Sequence, residues 1–316
     1  MKVRVSRKAR ETADIATFEL VSEDGSNLPS FTAGAHIDVN LPDGMIRQYS
    51  LCSAQEENSF YSIGILNDPD SRGGSRAMHE QVNEGDDLII SEPRNHFPLE
   101  EKATKTMLFG GGIGITPILC MADRLAAIGA DFEMHYCTRS LGHTAFRSRI
   151  AESSYASNVM HHLDDGPSEQ KLDLQALLST PQEGVHIYVC GPTGFMDAVL
   201  GTAREAGWPE GQIHFEFFGA EIVQQEGDDN FEVELSKSGK ILTVKPDQTV
   251  VEVLAAAGVE VKVSCEQGVC GTCLTKVIEG IPDHRDLYLT PNEQEQNNSF
   301  LPCCSRSKSP RLVIEL

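Results

Sequence analysis

The stretch Cys265-Glu266-Gln267-Gly268-Val269-Cys270-Gly271-Thr272-Cys273 decides how the C-terminal part of this chain folds. Its three cysteines have the spacing C-x4-C-x2-C, which is typical of a plant-type [2Fe–2S] cluster that takes its fourth thiolate from a distant segment. Gly268 and Gly271 permit the sharp backbone turns that a loop around inorganic sulfides requires. The stretch therefore predicts an iron–sulfur site.

Structural zinc, a disulfide pair and buried free thiols are the alternative interpretations of these cysteines. Zinc sites more often have two C-x2-C pairs, and this sequence has one. Nine cysteines, an odd number, fit a reducing cytoplasm better than a disulfide framework. Cys303 and Cys304 compete for the fourth ligand position. Adjacent side chains of an extended chain point in opposite directions, so we expect one of them to reach the iron, and spacing leaves open which.

Length and charge narrow the class of protein. A chain of 316 residues is long enough for two or three domains. Its net charge of −21 argues against a nucleic-acid partner, and indicates either simple solubility or steering toward a basic protein. The sequence has no apolar run of membrane-spanning length and no apolar segment after its basic start. We therefore expect a cytoplasmic protein that does not bind membranes.

The first hundred residues predict a small antiparallel β-barrel, because short alternating segments are separated by turns and helical periodicity is scarce before His79. The strand motif Arg47-Gln48-Tyr49-Ser50 would put a guanidinium and an aromatic ring on one face. The glycine-rich turn 71–76 precedes a helix expected from about Ala77, with Ser75 as its N-cap or as a phosphate ligand. Each motif alone also fits a solvated arginine or a surface turn, whereas together they predict flavin binding.

The middle of the chain has the strand–glycine loop–helix order of nucleotide-binding domains. An apolar strand over 105–109 leads into G-G-G-I-G-I-T-P and then a helix from about Thr116 to Ala127. The run departs from the G-x-G-x-x-G fingerprint. Cys190-Gly191-Pro192 follows a later strand, where a parallel sheet binds ligands, so Cys190 contacts a nicotinamide or is a buried thiol. Arg139 would tolerate a 2′-phosphate, which leaves NADH and NADPH both open.

The C-terminal residues predict a hairpin, a short helix and then the cluster loop, which is a β-grasp pattern. A polar, acidic segment precedes them and is expected to be a linker. The predicted architecture is multidomain: an antiparallel β-barrel flavin domain (1–102), an α/β parallel-sheet NAD(P)H domain (103–222), a linker (223–230) and an α+β β-grasp ferredoxin domain (231–316).

The whole chain resembles the phthalate dioxygenase reductase family. The matching stretches are RQYSLC (47–52), SRGGS (71–75), EPRNHFPL (92–99), GGIGITP (111–117), YVCGP (188–192), the cluster loop, PDHRD (282–286) and CCSRSK (303–308).

The resemblance implies FMN as the flavin and assigns residues to three sites. The residues implied on the flavin are Arg47, Tyr49, Ser50, Gly64, Ile65, Leu66, Gly73, Gly74 and Ser75, with Phe218 stacked on its ring. Those implied at the nicotinamide nucleotide are Gly111, Gly112, Thr116, Cys190, Gly191 and Pro192. Those implied on the cluster are Cys265, Cys270, Cys273 and Cys303, because the family pattern C-x-S-R selects Cys303 and leaves Cys304 as a neighbour. Ser50, Cys190 and Phe218 are the candidate catalytic residues.

The expected function is the reductase component of a two-component Rieske-type aromatic oxygenase or O-demethylase. Electrons would pass from NADH (NADPH possible) through FMN and the [2Fe–2S] cluster to the terminal oxygenase, which would bind the aromatic substrate. One alternative is a reductase for another oxygenase, acting on phthalate or a quaternary amine. Another is a ferredoxin-like electron carrier or redox sensor that does not oxidise NAD(P)H.

Overall fold

The computed structural model describes residues 1–42, 44–69, 73–219 and 227–316. It divides the chain into two compact units, Met1–Glu216 and Phe217–Leu316. Three sequence predictions fall outside the described residues: the turn at Asp43, the residues Ser71 and Arg72 of the glycine-rich turn, and the 223–226 part of the expected linker. No helix among the described residues has both the length and the apolar character needed to cross a bilayer.

An antiparallel barrel forms the N-terminal part of the first unit. Its strands are β1 (Lys2–Arg10), β2 (Ile15–Ser22), β3 (His36–Asn40), β4 (Ile46–Ser50), β5 (Tyr61–Leu66) and β6 (Asp87–Ile90). They form one six-stranded sheet in the order β4-β3-β6-β1-β2-β5. An antiparallel bridge between Leu51 and Ile63 joins the two edges of this sheet and closes it. The predicted antiparallel β-barrel is confirmed.

Period-two alternation builds the barrel core. Val3 and Val5 of β1 are fully buried, whereas Lys2 and Arg4 face solvent. Burying a side chain of this size contributes about 1.5–3 kcal/mol, so the alternation fixes which face of each strand turns inward.

The helix after the glycine-rich turn starts earlier than predicted. It is α1 (Gly74–Gln81), and its N-cap is Gly73, which has a φ of 100°. Ser75 therefore lies inside the first turn, and the expectation that it is the N-cap is wrong. The reason is that the turn ends in a left-handed conformation that glycine adopts freely, so the helix follows Gly73 directly.

A parallel sheet forms the rest of the first unit. Its strands are β7 (Lys105–Gly111), β8 (Phe132–Thr138), β9 (Val159–Leu163), β10 (Val185–Cys190) and β11 (Ile213–Glu216). Its helices are α2 (Ile115–Ala127), α3 (Arg147–Glu152), α4 (Leu174–Leu178) and α5 (Thr193–Glu205), with 3-10 turns at Gly112–Gly114, Leu141–His143, Ala156–Asn158, Ser168–Gln170 and Glu210–Gln212. The strand order is β11-β10-β7-β8-β9, and every pairing is parallel. The predicted α/β parallel sheet is confirmed.

The second unit is a mixed sheet with short helices. Its elements are β12 (Phe231–Leu235), β13 (Ile241–Val244), α6 (Val250–Ala256), β14 (Thr275–Glu279), β15 (Pro282–Asp283), α7 (Pro291–Glu295), β16 (Ser299–Phe300), β17 (Arg306–Ser307) and β18 (Arg311–Ile314). The main sheet has the order β13-β12-β18-β14-β16, and β12 pairs with β18 in parallel. Capping boxes at Thr249 and Thr290 fix the starts of α6 and α7. The predicted β-grasp ferredoxin fold is confirmed.

Candidate functional site

The carboxyl ends of β7 and β10 lie side by side, with Gly110 paired to Cys190. The helices that follow these strands, α2 and α5, begin without a side-chain hydrogen bond to cap them. Their first N–H groups therefore face an anion-accepting end of the sheet, where the helix dipoles also favour negative charge. Gly112 lies in the same turn with a φ of 52° and open space where a Cβ would project. The arrangement suits the phosphates of a pyridine nucleotide.

Backbone packing requires glycine in both loops at this end. A Cβ on Gly114 would lie 2.5 Å from the backbone nitrogen of Gly191. A Cβ on Gly191 would lie 2.9 Å from the Cα of Gly111 and 2.8 Å from the Phe195 ring, and Pro192 packs against Gly111 in the same way. The structure thus brings the predicted residues Gly111, Gly191 and Pro192 together. Protein atoms already occupy the positions where Cβ atoms on Gly111 and Gly191 would lie.

Gly64 and Thr116 lie at the junction between the barrel and the parallel sheet. A Cβ on Gly64 would lie 2.9 Å both from the Phe146 ring and from the Thr116 methyl group. The Thr116 hydroxyl donates to the Ile113 carbonyl at 3.1 Å. Phe146 has a φ of 58°, a strained conformation for an aromatic residue, and its N–H donates to the Glu11 carboxylate at 2.9 Å. Two residues predicted on different ligands therefore pack against each other.

The start of α1 forms a second anion-accepting corner. Gly74 packs directly on Arg47, because a Cβ there would lie 2.6 Å from the arginine Nε. The Oγ of Ser75, one residue further, accepts the N–H of Asp68 at 3.3 Å. A guanidinium beside a helix N-terminus is a suitable environment for a phosphate. The structure therefore places Arg47 against Gly74, with Gly73 and Ser75 as its neighbours in the chain.

The other predicted flavin residues lie on β4 and β5. Tyr49 is largely enclosed, and burial raises the pKa of its phenol. The Ile65 side chain belongs to the barrel core, while Leu66 packs at its margin. The Ile65 carbonyl is 2.9 Å from His79 Nε2. Ile65 therefore presents backbone rather than side chain outside the core.

A polar cluster joins the end of β4 to the end of β11. The Ser50 hydroxyl donates to Glu216 Oε2 at 3.4 Å, and His36 Nδ1 lies 3.9 Å from Glu216 Oε1. The His36 ring is tilted on the His96 ring at a centroid distance of 5.4 Å. Glu216 is paired in the sheet with Cys190, so the cluster lies at the same end of the sheet as the nucleotide loops.

Burial sets the protonation states in this cluster. It raises the pKa of Glu216 to about 8, and the Ser50 hydrogen bond opposes that shift. Burial also raises the pKa of the Cys190 thiol, with the Glu216 charge adding to the effect. Desolvation, the Arg94 charge and the His96 charge lower the pKa of His36 to about 4. The cluster therefore holds its proton on Glu216 near neutral pH, while Cys190 is a neutral thiol and His36 a neutral imidazole.

Sequence reasoning missed Glu216 and His36. Neither residue was singled out there, although a carboxylate that is largely shielded from solvent usually has a partner or a role. The position of Glu216 at the carboxyl end of the last parallel strand, where open α/β sheets bind ligands, is the signal that would have found it. Phe218 follows in the second unit and is 38% exposed.

The cluster loop brings four cysteines together in two pairs. A hydrogen bond to Cys265 lowers the pKa of Cys270, and hydrogen bonds to Cys273 and Cys304 lower the pKa of Cys303. Backbone N–H groups also reach the sulfurs: Gln267 donates to Cys265 Sγ at 3.3 Å. Each pair thus offers a thiolate, which is the form that binds iron.

Cys303 and Cys304 have different neighbours. The Gly268 N–H donates to Cys303, which also bonds Cys273. Cys304 also hydrogen-bonds Cys303, but its Sγ additionally lies 3.7 Å from the Leu301 carbonyl and 3.8 Å from the Ser305 hydroxyl. It also lies 2.6 Å from where a Cβ on Gly268 would project. Cys304 therefore packs beneath the loop, while Cys303 completes the second pair.

The four thiols match the donor set of a two-iron cluster. A [2Fe–2S] cluster takes four cysteines over two irons, so two per iron are enough. The pairs Cys265–Cys270 and Cys273–Cys303 supply that donor set.

Comparisons with known proteins match the whole chain. Residues 233–308 match the family model described as a 2Fe-2S iron-sulfur cluster binding domain. The chain is 52% identical over 316 residues to the vanillate O-demethylase oxidoreductase of Pseudomonas sp. strain HR199, covering 100% of both.

Two solved structures match in fold as well as in sequence. One is phthalate dioxygenase reductase, described as a modular structure for electron transfer from pyridine nucleotides to [2Fe–2S]. It gives a TM-score of 0.82 at 38% identity and covers 100% of this chain and 98% of that one. The other is an intact type IV self-sufficient cytochrome P450 monooxygenase, with a TM-score of 0.80 at 36% identity, covering 100% of this chain and 41% of that one.

Proposed function

Because the chain belongs to the phthalate dioxygenase reductase family, we propose that it is the reductase component of a Rieske-type aromatic oxygenase or O-demethylase. It is an NAD(P)H-dependent oxidoreductase that uses a flavin and a [2Fe–2S] cluster. The observation that carries the proposal is the set of two thiol pairs at Cys265–Cys270 and Cys273–Cys303, in one chain with the two anion-accepting sites of the first unit.

The flavin and the [2Fe–2S] cluster have different roles in electron transfer. When bound, the flavin links the two-electron chemistry of a pyridine nucleotide to the one-electron chemistry of an iron–sulfur cluster. In this proposal the flavin is FMN, Arg47, Gly73, Gly74 and Ser75 would hold its phosphate, and Tyr49, Ser50 and 64–66 would hold its ring. The proposed nucleotide residues are Gly111, Gly112, Thr116, Cys190, Gly191 and Pro192, and the proposed cover of the flavin ring is Phe218.

The chain's own residues control protonation and access at the reacting edge. The Ser50 hydroxyl donates a hydrogen bond to Glu216, which fixes the orientation of that hydroxyl. Its raised pKa keeps a proton on the carboxyl group near neutral pH. Cys190 is fully buried and remains a neutral thiol that excludes water from the strand end. These side chains are the proposed binding and proton-holding groups of the reaction.

We propose the domain limits 1–102, 103–222 and 231–316, with a linker at 223–230, as the functional division. The two sheets of the first unit and the single main sheet of the second support it. The nine cysteines are all free thiols, which supports a cytoplasmic location.

The proposal also covers which oxygenase accepts the electrons and which aromatic substrate that oxygenase binds. The vanillate O-demethylase oxidoreductase supports a demethylase, because it is 52% identical over the full chain. The P450 monooxygenase favours a second candidate, a haem oxygenase partner, because a matching segment lies in that chain. Purified Rieske and haem oxygenase components, each mixed with the NADH-reduced protein, separate the two: the true partner becomes reduced within turnover time.

Replacing one cluster ligand tests the electron path. In Cys270→Ser we expect NADH to bleach the flavin at the wild-type rate, while cytochrome c reduction is lost. Cys137→Ser is the matched control, because that half-buried thiol lies in β8. Unchanged cytochrome c reduction in Cys270→Ser would show that electrons leave without the cluster. Failure of NADH or NADPH to bleach the wild-type flavin would refute the proposed reductase activity itself.

A further inference from the structure

We infer that Leu274, Leu287 and Tyr288 form the surface on which the oxygenase partner docks, and we call these three residues the apolar rim. The inference rests on the proposed function, because it states where the proposed partner binds. The partner surface that fits the apolar rim is an oxygenase surface with an apolar centre and a basic border.

All three side chains are exposed although they are large and apolar. Leu274 is 44% exposed, Leu287 43% and Tyr288 41%. Apolar side chains clustered at one place on a surface mark interaction sites more often than isolated ones do. Aromatic residues in particular are enriched in the centres of protein interfaces.

The apolar rim is attached to the cluster loop itself. The Leu274 N–H donates to the Gly271 carbonyl, and the Leu287 N–H donates to the Gly268 carbonyl, both at 3.0 Å. The Tyr288 ring lies over Gly271, since a Cβ there would come 2.7 Å from the ring carbon Cε1. The three residues therefore border the same short stretch, 268–271, which contains Cys270 of the first thiol pair. A partner that covers them is brought against the cluster loop.

Buried neighbours hold the apolar rim in place. Asp286 is buried, and its carboxylate accepts the Leu289 N–H at 2.8 Å and the Ser305 hydroxyl at 3.3 Å. Leu289 packs into the core beside Cys273. Since both flanks of 287–288 are anchored, Leu287 and Tyr288 are directed outward and already ordered. An ordered surface loses little conformational entropy when a partner binds.

The charges beside the apolar rim indicate what borders the partner's apolar centre. Glu293 and Glu295 on α7 are exposed, and Glu266 in the cluster loop is half-buried. Lys262 and Lys276 are exposed cations of the adjoining segments, and Lys276 lies 3.8 Å from Glu315. The three carboxylates outnumber these two cations, and electrostatic complementarity favours a basic border on the partner. The centre of the contact is apolar, so salt should change the rate of association more than the final affinity.

The test compares steady-state reduction of an oxygenase by variants with and without the apolar rim. The probe is the purified terminal oxygenase component of a vanillate O-demethylase, reduced by the holoprotein and NADH. The test variant is Leu274→Ser/Leu287→Ser, which leaves the Tyr288 ring over the loop. The matched controls are Ile278→Ser and Ile241→Ser, which remove side chains that are 49% and 45% exposed on strands of the same unit.

We expect the double variant to raise KM for the oxygenase about tenfold or more, the size of effect that interface anchors give. The rate of cluster reduction by NADH and the visible circular dichroism of the cluster should match wild type, as should KM in both controls. An unchanged KM in the double variant, or an equal rise in the controls, would overturn the docking surface alone.

Two further outcomes would each refute the docking inference for a different reason. If wild type does not reduce the oxygenase although NADH reduces its cluster, the proposed partner fails and the docking inference fails with it. If wild type forms a dimer by sedimentation and the double variant is a monomer, the apolar rim binds a second copy of the chain and the inference is refuted.

Discussion

Glu216→Gln tests whether the half-buried carboxyl group at the end of β11 holds a proton in the folded protein. Burial raises its pKa to about 8 from an ordinary value of 4.5. Glutamine has the same shape and keeps an acceptor for the Ser50 hydroxyl, but it cannot ionise. The difference in stability between wild type and Glu216→Gln, followed against pH, therefore isolates this one titration.

The sign and size of the effect follow from proton linkage. Above about pH 4.5 the unfolded chain has released the Glu216 proton, whereas the folded chain keeps it until about pH 8. The folded state thus binds more protons in this window, and its stability falls as pH rises, by about 1.4 kcal/mol per pH unit. Between about pH 6.5 and 8.5 wild type should lose about 2 kcal/mol relative to Glu216→Gln.

The titratable groups that face Glu216 do not titrate in this pH range. His36 titrates lower, because its pKa is lowered to about 4, and Cys190 stays neutral because burial raises its pKa. Urea unfolding of the holoprotein, followed by fluorescence, measures the free energy of unfolding at each pH. Trp208 is the single tryptophan and is buried in the first unit, so its emission reports on the unit that contains Glu216.

The control for this experiment is an exposed carboxylate that takes no part in the Ser50 hydrogen bond. Glu210→Gln removes an exposed carboxylate of the same unit that pairs with Arg204, and its stability profile should stay parallel to wild type. If the difference between wild type and Glu216→Gln stays constant within about 0.5 kcal/mol across the range, Glu216 is ionised in the folded protein and the proton-holding role is wrong.

Three substitutions test the packing of the two binding regions. Gly271→Ala should at least halve the iron and acid-labile sulfide per chain, because the new Cβ would overlap the Tyr288 ring and Gly271 has a φ of 70°. Gly239→Ala is the control, since Gly239 has a similar φ of 67° and open space around it. It should lower the free energy of unfolding by only about 1 kcal/mol and keep the cluster. Arg306→Met should destabilise the second unit by about 3 kcal/mol, because the buried guanidinium donates hydrogen bonds to four backbone carbonyls. The loss should appear as bleaching of the cluster at a lower temperature. Lys308→Met, which changes an exposed side chain, should not lower that temperature. Gly114→Ala should weaken NADH binding in a titration, because its Cβ would clash with the loop after β10; wild-type affinity would show that the loops can move apart.

The sequence predicted the elements whose pattern is local. Helix α2 was expected from Thr116 to Ala127 and spans Ile115–Ala127, because its apolar stripe repeats at helical spacing and Pro117 suits its first turn. Two short strand patterns around the Ser238-Gly239 turn likewise predicted the hairpin of β12 and β13. The strand and helix patterns also predicted the fold class, which agrees with the family resemblance and is confirmed.

What the sequence did not give depends on contacts between distant residues. Glu216 and Ser50 are far apart in the chain and meet only through the fold, so neither residue alone indicated a buried proton site. Strand β9 escaped notice because two histidines interrupt its apolar pattern; His162 pairs with His135 at 3.0 Å across the sheet. The choice between Cys303 and Cys304 came from family resemblance, because two adjacent thiols look alike until their neighbours are known.

The central place of β18 in the second sheet has a consequence for biogenesis. β18 pairs on one side with β12, where Arg311 meets Glu232, and on the other side with β14, directly after the cluster loop. Such long-range pairing forms slowly, and the sheet cannot close until residues 311–314 have been synthesised. Until then the thiols of the cluster loop lack their folded surroundings and are open to oxidation. Delivery of iron and sulfide must therefore keep pace with a late folding step, and cells short of either should accumulate chains whose flavin part is sound and whose electron exit is missing.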